Sequence, residues 1–365
     1  MPDIVSPPPT GPGRVNVNTV AEAAQVSRQT VTNALLHPER VRPETLSRVR
    51  AEIVRLGYRP SSAAQSLQAQ RAGAIGVELN ALGADYHNAV MAPFVAALTL
   101  AAPGHDFHMV TFGSQHRTPT LEGYQQMWRG RVVDAFVLAD THPGDPRPAW
   151  LRDQGIPFSS FGRVWDDPGF RRWVDVDGHH GTGLAVAHCV TAGYDTVGYL
   201  GSPTGVSVVA DSRRTGWQDA CRAAGREPGP DGSAPDELDA VRQVADAVVG
   251  ALGVGGAIVC ATDVLAVGAL HAIWRAGLRP GFDVGVVGFD DSELARMHGL
   301  TSVAQPLADV ATIALDLVAA ALGGADADRT DGVLLRPTLT VRASTARRTH
   351  ESQMNQREIK EEEKP

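Results

Sequence analysis

The chain has 365 residues, of which 43% are hydrophobic, and a formal net charge of −8 at neutral pH. This length can hold a small domain and a core of two subdomains, and no apolar run is long enough to span a membrane. The three cysteines, Cys189, Cys221 and Cys260, are widely spaced and odd in number, which indicates reduced packing residues instead of a disulfide framework or a metal site. A membrane protein and a disulfide-stabilised secreted domain are therefore excluded, and the cytoplasm is expected.

The first predicted elements form a helix-turn-helix within residues 17–35. Apolar residues recur at helical spacing from Val17 to Ala24, and Ser27 can cap a second helix in which Val31 and Leu35 point inward. The exposed side chains of that second helix are Arg28, Gln29, Thr32 and Asn33. Arginine can bridge guanine acceptors in the major groove, and glutamine or asparagine can pair with adenine. The alternative is an ordinary helical hairpin at the edge of a domain.

Two further helical segments follow. Pro43 suits the first position of a third helix, which Gly57 ends. The predicted apolar face of this helix consists of Leu46, Val49, Ile53 and Leu56. Ser61 can then cap a short segment, SSAAQSLQAQ, whose single large apolar residue is Leu67. Such a short segment should be barely helical in water, so we expect it to order only against a partner copy and DNA.

The charge is distributed unevenly along the chain. Between Arg14 and Arg71 there are nine arginines and four glutamates, a net charge of +5, which leaves −13 for the remainder. A basic module joined to an acidic body is typical of a DNA-binding head on a ligand-binding core. A merely solvated basic face is the alternative, but it does not explain why the basic residues coincide with the helix-turn-helix.

From Ala74 onward, short apolar strands alternate with helices. The predicted strands are AIGVEL, FHMVTF, VVDAFVLA, IPFSSFGR, WVDVD, TVGYLG, AIVCA, DVGVVGF and LLRPTLTV. The predicted helices between them include stretches near His87–Ala101, Thr120–Trp128 and LAVAHCVTA. This alternation predicts an α/β core with doubly wound parallel sheets that are covered on both faces.

Ligands of such sheets bind beyond the carboxyl ends of the strands. The residues that follow the predicted strands are Asn80 to His87, Gly162-Arg163, Asp175, Asp177, the loop leading to Arg213, Thr262-Asp263 and Asp290-Asp291. Arginines and carboxylates with Tyr86, Phe161 or Phe289 nearby suit a neutral polyhydroxyl ligand. For each residue, loop capping or an inter-strand salt bridge is the alternative, and Asp263 and Asp291 are expected to cap the helices that follow them.

Other patterns predict no cofactor, metal site or enzymatic centre. GHHGTG at Gly178–Gly183 lacks the glycine spacing of a dinucleotide-binding turn and is interpreted as a loop that enters a helix. His179-His180 has no third ligand at metal spacing, and neither a nucleophile elbow nor a phosphate loop occurs. The charged tail beyond Thr345 lacks leucine heptads, so we expect it to be disordered and not to form a tetramerising coiled coil.

The order of these motifs resembles the lactose-repressor (LacI/GalR) family of bacterial transcription factors. The resemblance is carried by VAEAAQVSRQTV, the V-R-P-E-T helix, LGYRPSSAAQSL, GIPFSSFGR with WVDVD, DSRRTGW, ATDVLAVGALHAIWRAGLRPGFDVGVVGFDD and LLRPTLTVRAST. It implies an all-α helix-turn-helix headpiece, a hinge helix, and a core whose two α/β subdomains are similar to periplasmic sugar-binding proteins. The implied plan is a disordered leader (1–14), a DNA-binding domain (15–59), a hinge helix and linker (60–72), an effector-binding and dimerisation core (73–345), and a disordered tail (346–365).

The resemblance also implies which residues bind. The expected DNA contacts are Ser27, Arg28, Gln29, Thr32, Asn33, Tyr58, Ala64 and Leu67, with Leu67 as a minor-groove wedge. The expected effector contacts are Tyr86, Phe161, Arg163, Arg213, Thr262, Asp290 and Gln305. Among them Arg213 corresponds to the arginine that grips the effector and Asp290 to its acidic partner, whereas spacing alone does not favour Arg213 over Arg214.

Four positions depart from the usual pattern of this family. Gln25 replaces a turn glycine, so a residue with a Cβ must adopt that backbone geometry, at about 1 kcal/mol. Asn33 stands where arginine is common, which implies an unusual operator. Ser61 replaces a frequent asparagine at the hinge cap, and Thr262 replaces a frequent asparagine in the effector site.

The sequence therefore predicts a sugar-responsive repressor that binds a near-palindromic operator as a homodimer and contains neither a cofactor nor a metal. The alternative is a soluble sugar-binding protein without a direct gene-regulatory role. A periplasmic binding protein would need a signal peptide and would not need an arginine-rich head. The sequence leaves open which sugar binds, which genes respond, and whether the sugar weakens or strengthens DNA binding.

Overall fold

The computed structural model describes residues 15–58, 71–80, 88–114, 120–324 and 331–346. These residues divide into two compact units, with the boundary between Ala72 and Gly73. The predictions for the leader, for the hinge segment with Ala64 and Leu67, for the loop with Tyr86, and for the tail after 346 lie outside the described residues.

The first unit contains three helices, α1 (Val17–Ala23), α2 (Arg28–Leu36) and α3 (Pro43–Leu56). Local signals in the sequence fix their ends. Ser27 caps α2, because its hydroxyl accepts a hydrogen bond of 3.1 Å from the amide of Thr30. Pro43 opens α3, and Gly57 ends it in the left-handed conformation with a φ of 63°. The predicted helix-turn-helix and the predicted third helix are therefore confirmed.

A small apolar core joins the three helices. It is built around fully buried side chains of each helix, including Val20, Val31 and Val49. The prediction that Leu35 points inward is wrong, because Leu35 is 36% exposed whereas Ala34 is only 4% exposed. In so small a unit the buried stripe of α2 is narrow, and it passes from Val31 to the residue three positions later instead of four.

The second unit contains two sheets and the helices that cover them. Its elements are β1 (Ala74–Asn80), α4 (Asn88–Ala101), β2 (His108–Ser114), α5 (Glu122–Arg129), β3 (Ala135–Leu138), α6 (Pro146–Asp153), β4 (Phe158–Phe161), β5 (Trp173–Val176), α7 (Gly178–Thr191), β6 (Val197–Gly201), α8 (Val208–Ala223), β7 (Asp231–Ser233), α9 (Leu238–Leu252), β8 (Ala257–Cys260), α10 (Asp263–Arg275), β9 (Gly285–Asp290), α11 (Glu293–Met297), β10 (Thr301–Ala304), α12 (Leu307–Leu322), β11 (Val333–Leu335) and β12 (Thr338–Thr340).

Each sheet has six strands. The order is β11-β5-β4-β3-β1-β2 in the first sheet and β12-β10-β9-β8-β6-β7 in the second. Among the strand pairs that the structure describes, only β12 runs antiparallel to its neighbour, β10. The predicted α/β core with two parallel-sheet subdomains is therefore confirmed. We call the parts around these sheets the first and the second subdomain.

The chain passes between the two subdomains three times within the described residues. It crosses after β5, after β10, and between β11 and β12. The second crossing returns α12 to the first subdomain, where Ala314 and Val318 pack with Ile75 of β1 and Phe94 of α4. Ligands of cores with two subdomains usually bind between them.

Some predicted elements differ in detail. LLRPTLTV is not one strand but two, β11 and β12, which belong to different sheets, because Arg336-Pro337 forms the third crossing. The interpretation of GHHGTG as a loop is also wrong. These residues form the first turns of α7, since the carboxylate of Asp177 caps the helix at the amide of His180, 2.9 Å away. The short strands β7 and β10 were not predicted.

The cysteines match their prediction. Cys189, Cys221 and Cys260 are free and buried in the core of the second subdomain, where burial raises the pKa of the Cys189 thiol to about 12. Within the described ranges, no helix combines the length and hydrophobicity that a membrane span requires.

Candidate nucleic-acid interface and ligand site

Helix α2 presents a polar stripe on the surface of the first unit. Arg28 and Gln29 are exposed, and Thr32 and Asn33, one helical turn later, are partly exposed. Gln29 donates a hydrogen bond of 3.2 Å from its amide to Oδ1 of Asn33. Four adjacent polar side chains on one short helix are suited to reading base edges in the major groove.

The remaining predicted contacts of this unit have structural tasks. The hydroxyl of Ser27 is engaged as the cap of α2 and lies 2.9 Å from the hydroxyl of Thr30. Tyr58 packs against the apolar core directly after Gly57. Any DNA contact by either residue would come in addition to these roles.

The turn before α2 has the unusual backbone that the sequence predicts. Gln25 has a φ of 50°, a left-handed conformation in which a residue with a Cβ is strained. Its amide is bonded to the carbonyl of Glu22 at 3.1 Å, and the next amide, of Val26, is bonded to that of Ala21 at 3.0 Å. This tight turn sets the direction in which α2 leaves α1.

In the second subdomain, Arg213 and Asp290 are brought together as predicted. Nη2 of Arg213 lies 3.7 Å from Oδ1 of Asp290, and the two side chains are only 11% and 6% exposed. The guanidinium also lies 3.7 Å from the centre of the Phe289 ring and donates a hydrogen bond of 2.5 Å to the carbonyl of Ala261. These contacts fix a planar cation at the carboxyl ends of two neighbouring strands, β8 and β9.

Asp290 is held in a strained and weakly hydrated position. Its φ is 111°, and Oδ1 accepts a hydrogen bond of 2.7 Å from the amide of Gln305. Burial raises the pKa of the Asp290 carboxyl to about 7; the nearby Asp263 also raises it, whereas Arg213 and the Gln305 hydrogen bond lower it. Gln305, which the resemblance places at the border of the effector pocket, is thus a direct neighbour of Asp290.

The two predicted helix caps near this pair, Asp263 and Asp291, are wrong. Thr262 caps α10 through the amide of Leu265, and Ser292 caps α11, so neither Asp263 nor Asp291 is a cap. The Asp263 carboxylate is instead fully buried. It accepts hydrogen bonds from Oγ of Ser302 at 2.6 Å and from the amide and the hydroxyl of Ser292 at 2.8 and 2.7 Å. Tertiary partners decided this role.

Thr262 itself is held by a second carboxylate. Its hydroxyl donates a hydrogen bond of 2.5 Å to Oδ1 of Asp236, while it also caps α10. Asp236 was missed because β7, the strand that precedes it, was not predicted, and so the loop after that strand was not considered. Recognition of β7 would have found it.

The first subdomain contributes a more open surface. Arg163 is half-exposed; its guanidinium lies 5.0 Å from the centre of the Trp173 ring, and its Nε is 4.0 Å from Oδ2 of Asp175. Burial raises the pKa of Asp175, although the amide of Val176 and Arg163 lower it. Trp173 was not predicted, because it begins β5 and ligand residues are expected after the strands of such sheets.

The predicted aromatic partners of the ligand are placed differently from one another. Phe161 packs against Phe94 with 4.8 Å between ring centres, so its ring belongs largely to the core of the first subdomain. Phe289 lies under Arg213. No group of three metal-ligating side chains occurs in the part of the chain that the structure describes.

A helix-turn-helix unit with an exposed polar helix, together with an α/β unit of two subdomains, defines the class of the protein: a DNA-binding transcriptional regulator with a core like that of periplasmic binding proteins. Residues 16–61 match the bacterial regulatory proteins of the lacI family, and residues 186–345 match the periplasmic binding protein-like domain. The chain therefore combines a DNA-binding domain of the lacI family with a periplasmic binding protein-like domain.

Known relatives agree with this assignment. The regulator RafR of Escherichia coli is 30% identical over 212 residues, a match that covers 58% of this chain and 62% of RafR. The regulator CelR of Thermobifida fusca is 28% identical over 309 residues, 80% of this chain and 87% of CelR. A solved lac repressor dimer bound to operator and the anti-inducer ONPF has the same fold, with a TM-score of 0.74 at 24% identity over 91% of this chain and 99% of that one. RafR and CelR are both helix-turn-helix transcriptional regulators.

Proposed function

We propose that the protein is a repressor that acts in the cytoplasm, binds a near-palindromic operator as a homodimer, and responds to a small carbohydrate. The observation that carries the sugar-binding part is the buried Arg213–Asp290 pair, supported by Phe289 and Gln305. A guanidinium fork and a carboxylate can each satisfy two neighbouring hydroxyl groups of a sugar. This arrangement is also consistent with a solved CelR complex that contains cellobiose.

We assign further effector contacts to Arg163 and Asp175 in the first subdomain and to Thr262 and Asp236 in the second subdomain. Two arginines and three carboxylates nearly balance in charge, which favours a neutral polyhydroxyl ligand over an anion. Phe161 and Tyr86 are proposed to cover an apolar sugar face, and Tyr86 lies outside the described residues.

On the operator, we assign base contacts to Arg28, Gln29 and Asn33, and a base or phosphate contact to Thr32. Arg42, Arg48 and Arg50 would contact the phosphate backbone, because all three are exposed. Leu67, outside the described residues, is proposed as the wedge that kinks the centre of the operator.

A second copy is the proposed partner for an exposed apolar face of the second subdomain. Trp274 on α10 is 52% exposed and Met297 on the neighbouring α11 is 76% exposed. Large exposed apolar side chains on two helices that contact each other favour an interface. An operator-bound relative is a dimer. We expect Met297→Asp to shift the protein towards monomer in sedimentation velocity. Val254→Asp, the same change at another exposed apolar residue, should not.

The function is tested by two linked experiments on the full-length protein. Selection from a random double-stranded DNA library should enrich near-palindromic sites. Differential scanning calorimetry against a panel of monosaccharides and disaccharides should identify one sugar that raises the melting temperature and changes the affinity for the selected DNA. Enrichment of DNA without any sugar response would leave the regulator and remove the carbohydrate effector; a sugar response without enrichment would favour a sugar-binding protein.

A further inference from the structure

The turn that follows β9 contains two strained residues in succession. Asp290 has a φ of 111° and Asp291 a φ of 50°, and neither is glycine. Positive φ values of this size are costly for residues with a Cβ, so they persist only where surrounding contacts determine the backbone. The contacts around this turn therefore control where the Asp290 carboxylate lies.

Two of these contacts come from the second subdomain itself. The buried Asp263 carboxylate accepts hydrogen bonds from the amide and the hydroxyl of Ser292. Oγ of Ser302 on β10 accepts a hydrogen bond of 3.0 Å from the amide of Asp291 and donates one of 2.6 Å to Asp263. The end of the turn is thereby attached to α10 and to β10.

The third contact comes from Arg342, two residues after the end of β12. Nη1 of Arg342 lies 2.6 Å from Oδ1 of Asp291 in an ion pair that is largely buried. The same nitrogen donates a hydrogen bond of 2.7 Å to the carbonyl of Leu300, and its contact with Asp291 lacks hydrogen-bond geometry and is electrostatic. Oγ1 of Thr340 donates a weak hydrogen bond of 3.3 Å to the other carboxylate oxygen. Removal of one partner from such a pair leaves the other charge poorly solvated.

The position of Arg342 gives this ion pair a significance beyond local stability. Strand β12 begins at Thr338, directly after the third crossing from the first subdomain, and pairs with β10 next to the turn. We infer that Arg342, acting through Asp291, is a positioning residue that fixes the backbone of Asp290 and ties the acidic partner of Arg213 to the chain segment that follows the third crossing. The inference rests on the proposed function only in taking Asp290 as an effector contact.

The titration of Asp290 distinguishes positioning from simple stabilisation. Besides burial, the charged and polar groups with the largest effects on the pKa of Asp290 are Arg213, Asp263, Gln305 and Asp236, whereas Arg342 contacts the adjacent Asp291. Release of the turn would let water reach the carboxylate and move its pKa down towards the ordinary value. The pKa of Asp290 therefore reports on the position of the turn, and it can be measured without sugar.

The test compares four full-length proteins without sugar: wild type, Asp290→Asn, Arg342→Gln and the double variant. Their melting temperatures are measured between pH 5 and pH 8. In the Arg342→Gln background, Asp290→Asn should change the pH profile less than half as much as it does in the otherwise wild-type protein. An equal change in both backgrounds, with Arg342→Gln lowering the melting temperature equally at every pH, would make the ion pair purely structural and overturn the inference.

Matched variants keep the test decisive. Arg279→Gln removes an exposed Arg–Asp pair of the same subdomain, with Asp283 as the partner, and should leave the Asp290 titration as in the wild type. Arg342→Lys keeps the charge without the planar fork and should restore part of the wild-type profile. If Arg342→Gln does not fold, Thr340→Val removes the weaker contact with Asp291 and is compared in the same way. A failed sugar panel would not affect these measurements, so the inference and the proposed function can fail separately.

Discussion

The two candidate binding surfaces present their polar groups in opposite ways. On α2, Arg28 and Gln29 project from a small helical unit into solvent, and the contact between Gln29 and Asn33 is a weak one of 3.2 Å. In the core, Arg213 and Asp290 are nearly buried and held by a ring, a carbonyl and an amide.

The difference corresponds to the ligands that the two surfaces would bind. DNA is long and highly charged, so protruding side chains gain affinity from electrostatics and read base edges by reaching into a groove. A small neutral sugar offers no such field, and its hydroxyl groups compete with water. A site for it must be desolvated and arranged in advance, which makes each core residue more difficult to replace than each surface residue.

The largest expected effect is that of Arg213→Ala. We expect the affinity for the sugar identified in the panel to fall by about 100-fold or more, because Asp290 would be left buried without its cation. Operator binding in the absence of sugar should remain nearly intact. Isothermal titration calorimetry and a DNA-binding assay measure both, with Arg222→Ala on the same helix as the control, since its partner Asp219 is exposed. Unchanged sugar affinity would remove Arg213 from the site.

Arg28→Ala should have the next largest effect, on DNA only. We expect a loss of about 1–3 kcal/mol on the selected operator and a much smaller loss on random DNA. Arg55→Ala is the matched control, because the Arg55 guanidinium lies 2.7 Å from Glu52 on the same helix. Equal losses on both DNAs would mean that Arg28 contacts only phosphate.

Asp290→Asn should make the protein without sugar less sensitive to pH. The pKa of the buried Asp290 is raised to about 7, so the stability associated with its proton is present at low pH and is lost as the pH rises through 7. Asparagine cannot ionise. The melting temperature of the variant relative to the wild type should therefore be several degrees higher at pH 8 than at pH 5. A difference that is constant with pH would show that Asp290 is already ionised in this range.

Gln25→Gly should have the smallest effect and should be favourable. Glycine adopts a positive φ without strain, so the helical unit should gain up to about 1 kcal/mol, offset in part by the flexibility of glycine in the unfolded chain. Amide hydrogen exchange of residues 15–58 in the full-length protein measures the change. Gln25→Val should act in the opposite direction, and a glycine variant that destabilises the unit would indicate that the Gln25 side chain has a role of its own.

In the helical unit, the sequence predicted most of what the structure contains, because the relevant signals are local. Each of these signals depends only on residues within about four positions along the chain. They are the strained turn at Gln25, the cap at Ser27, the first turn at Pro43 and the end of the helix at Gly57. Only the choice between Leu35 and Ala34 as the buried residue depended on packing between helices.

In the core, the sequence by itself determined the alternation of strands and helices, and resemblance to the family singled out Arg213 and Asp290. Only the tertiary structure decided that Asp263 is a buried acceptor and not a cap, that LLRPTLTV is divided between two sheets, and that Arg342 contacts Asp291. The contacts join residues that are far apart in the chain: Ser302 and Asp263 by 39 positions, Ser292 and Asp263 by 29, and Arg342 and Asp291 by 51. Conversely, the neighbouring residues of LLRPTLTV lie in two different sheets. Local propensity carries no information over such distances, since the partner of a buried carboxylate is set by which strands and helices meet in the folded core.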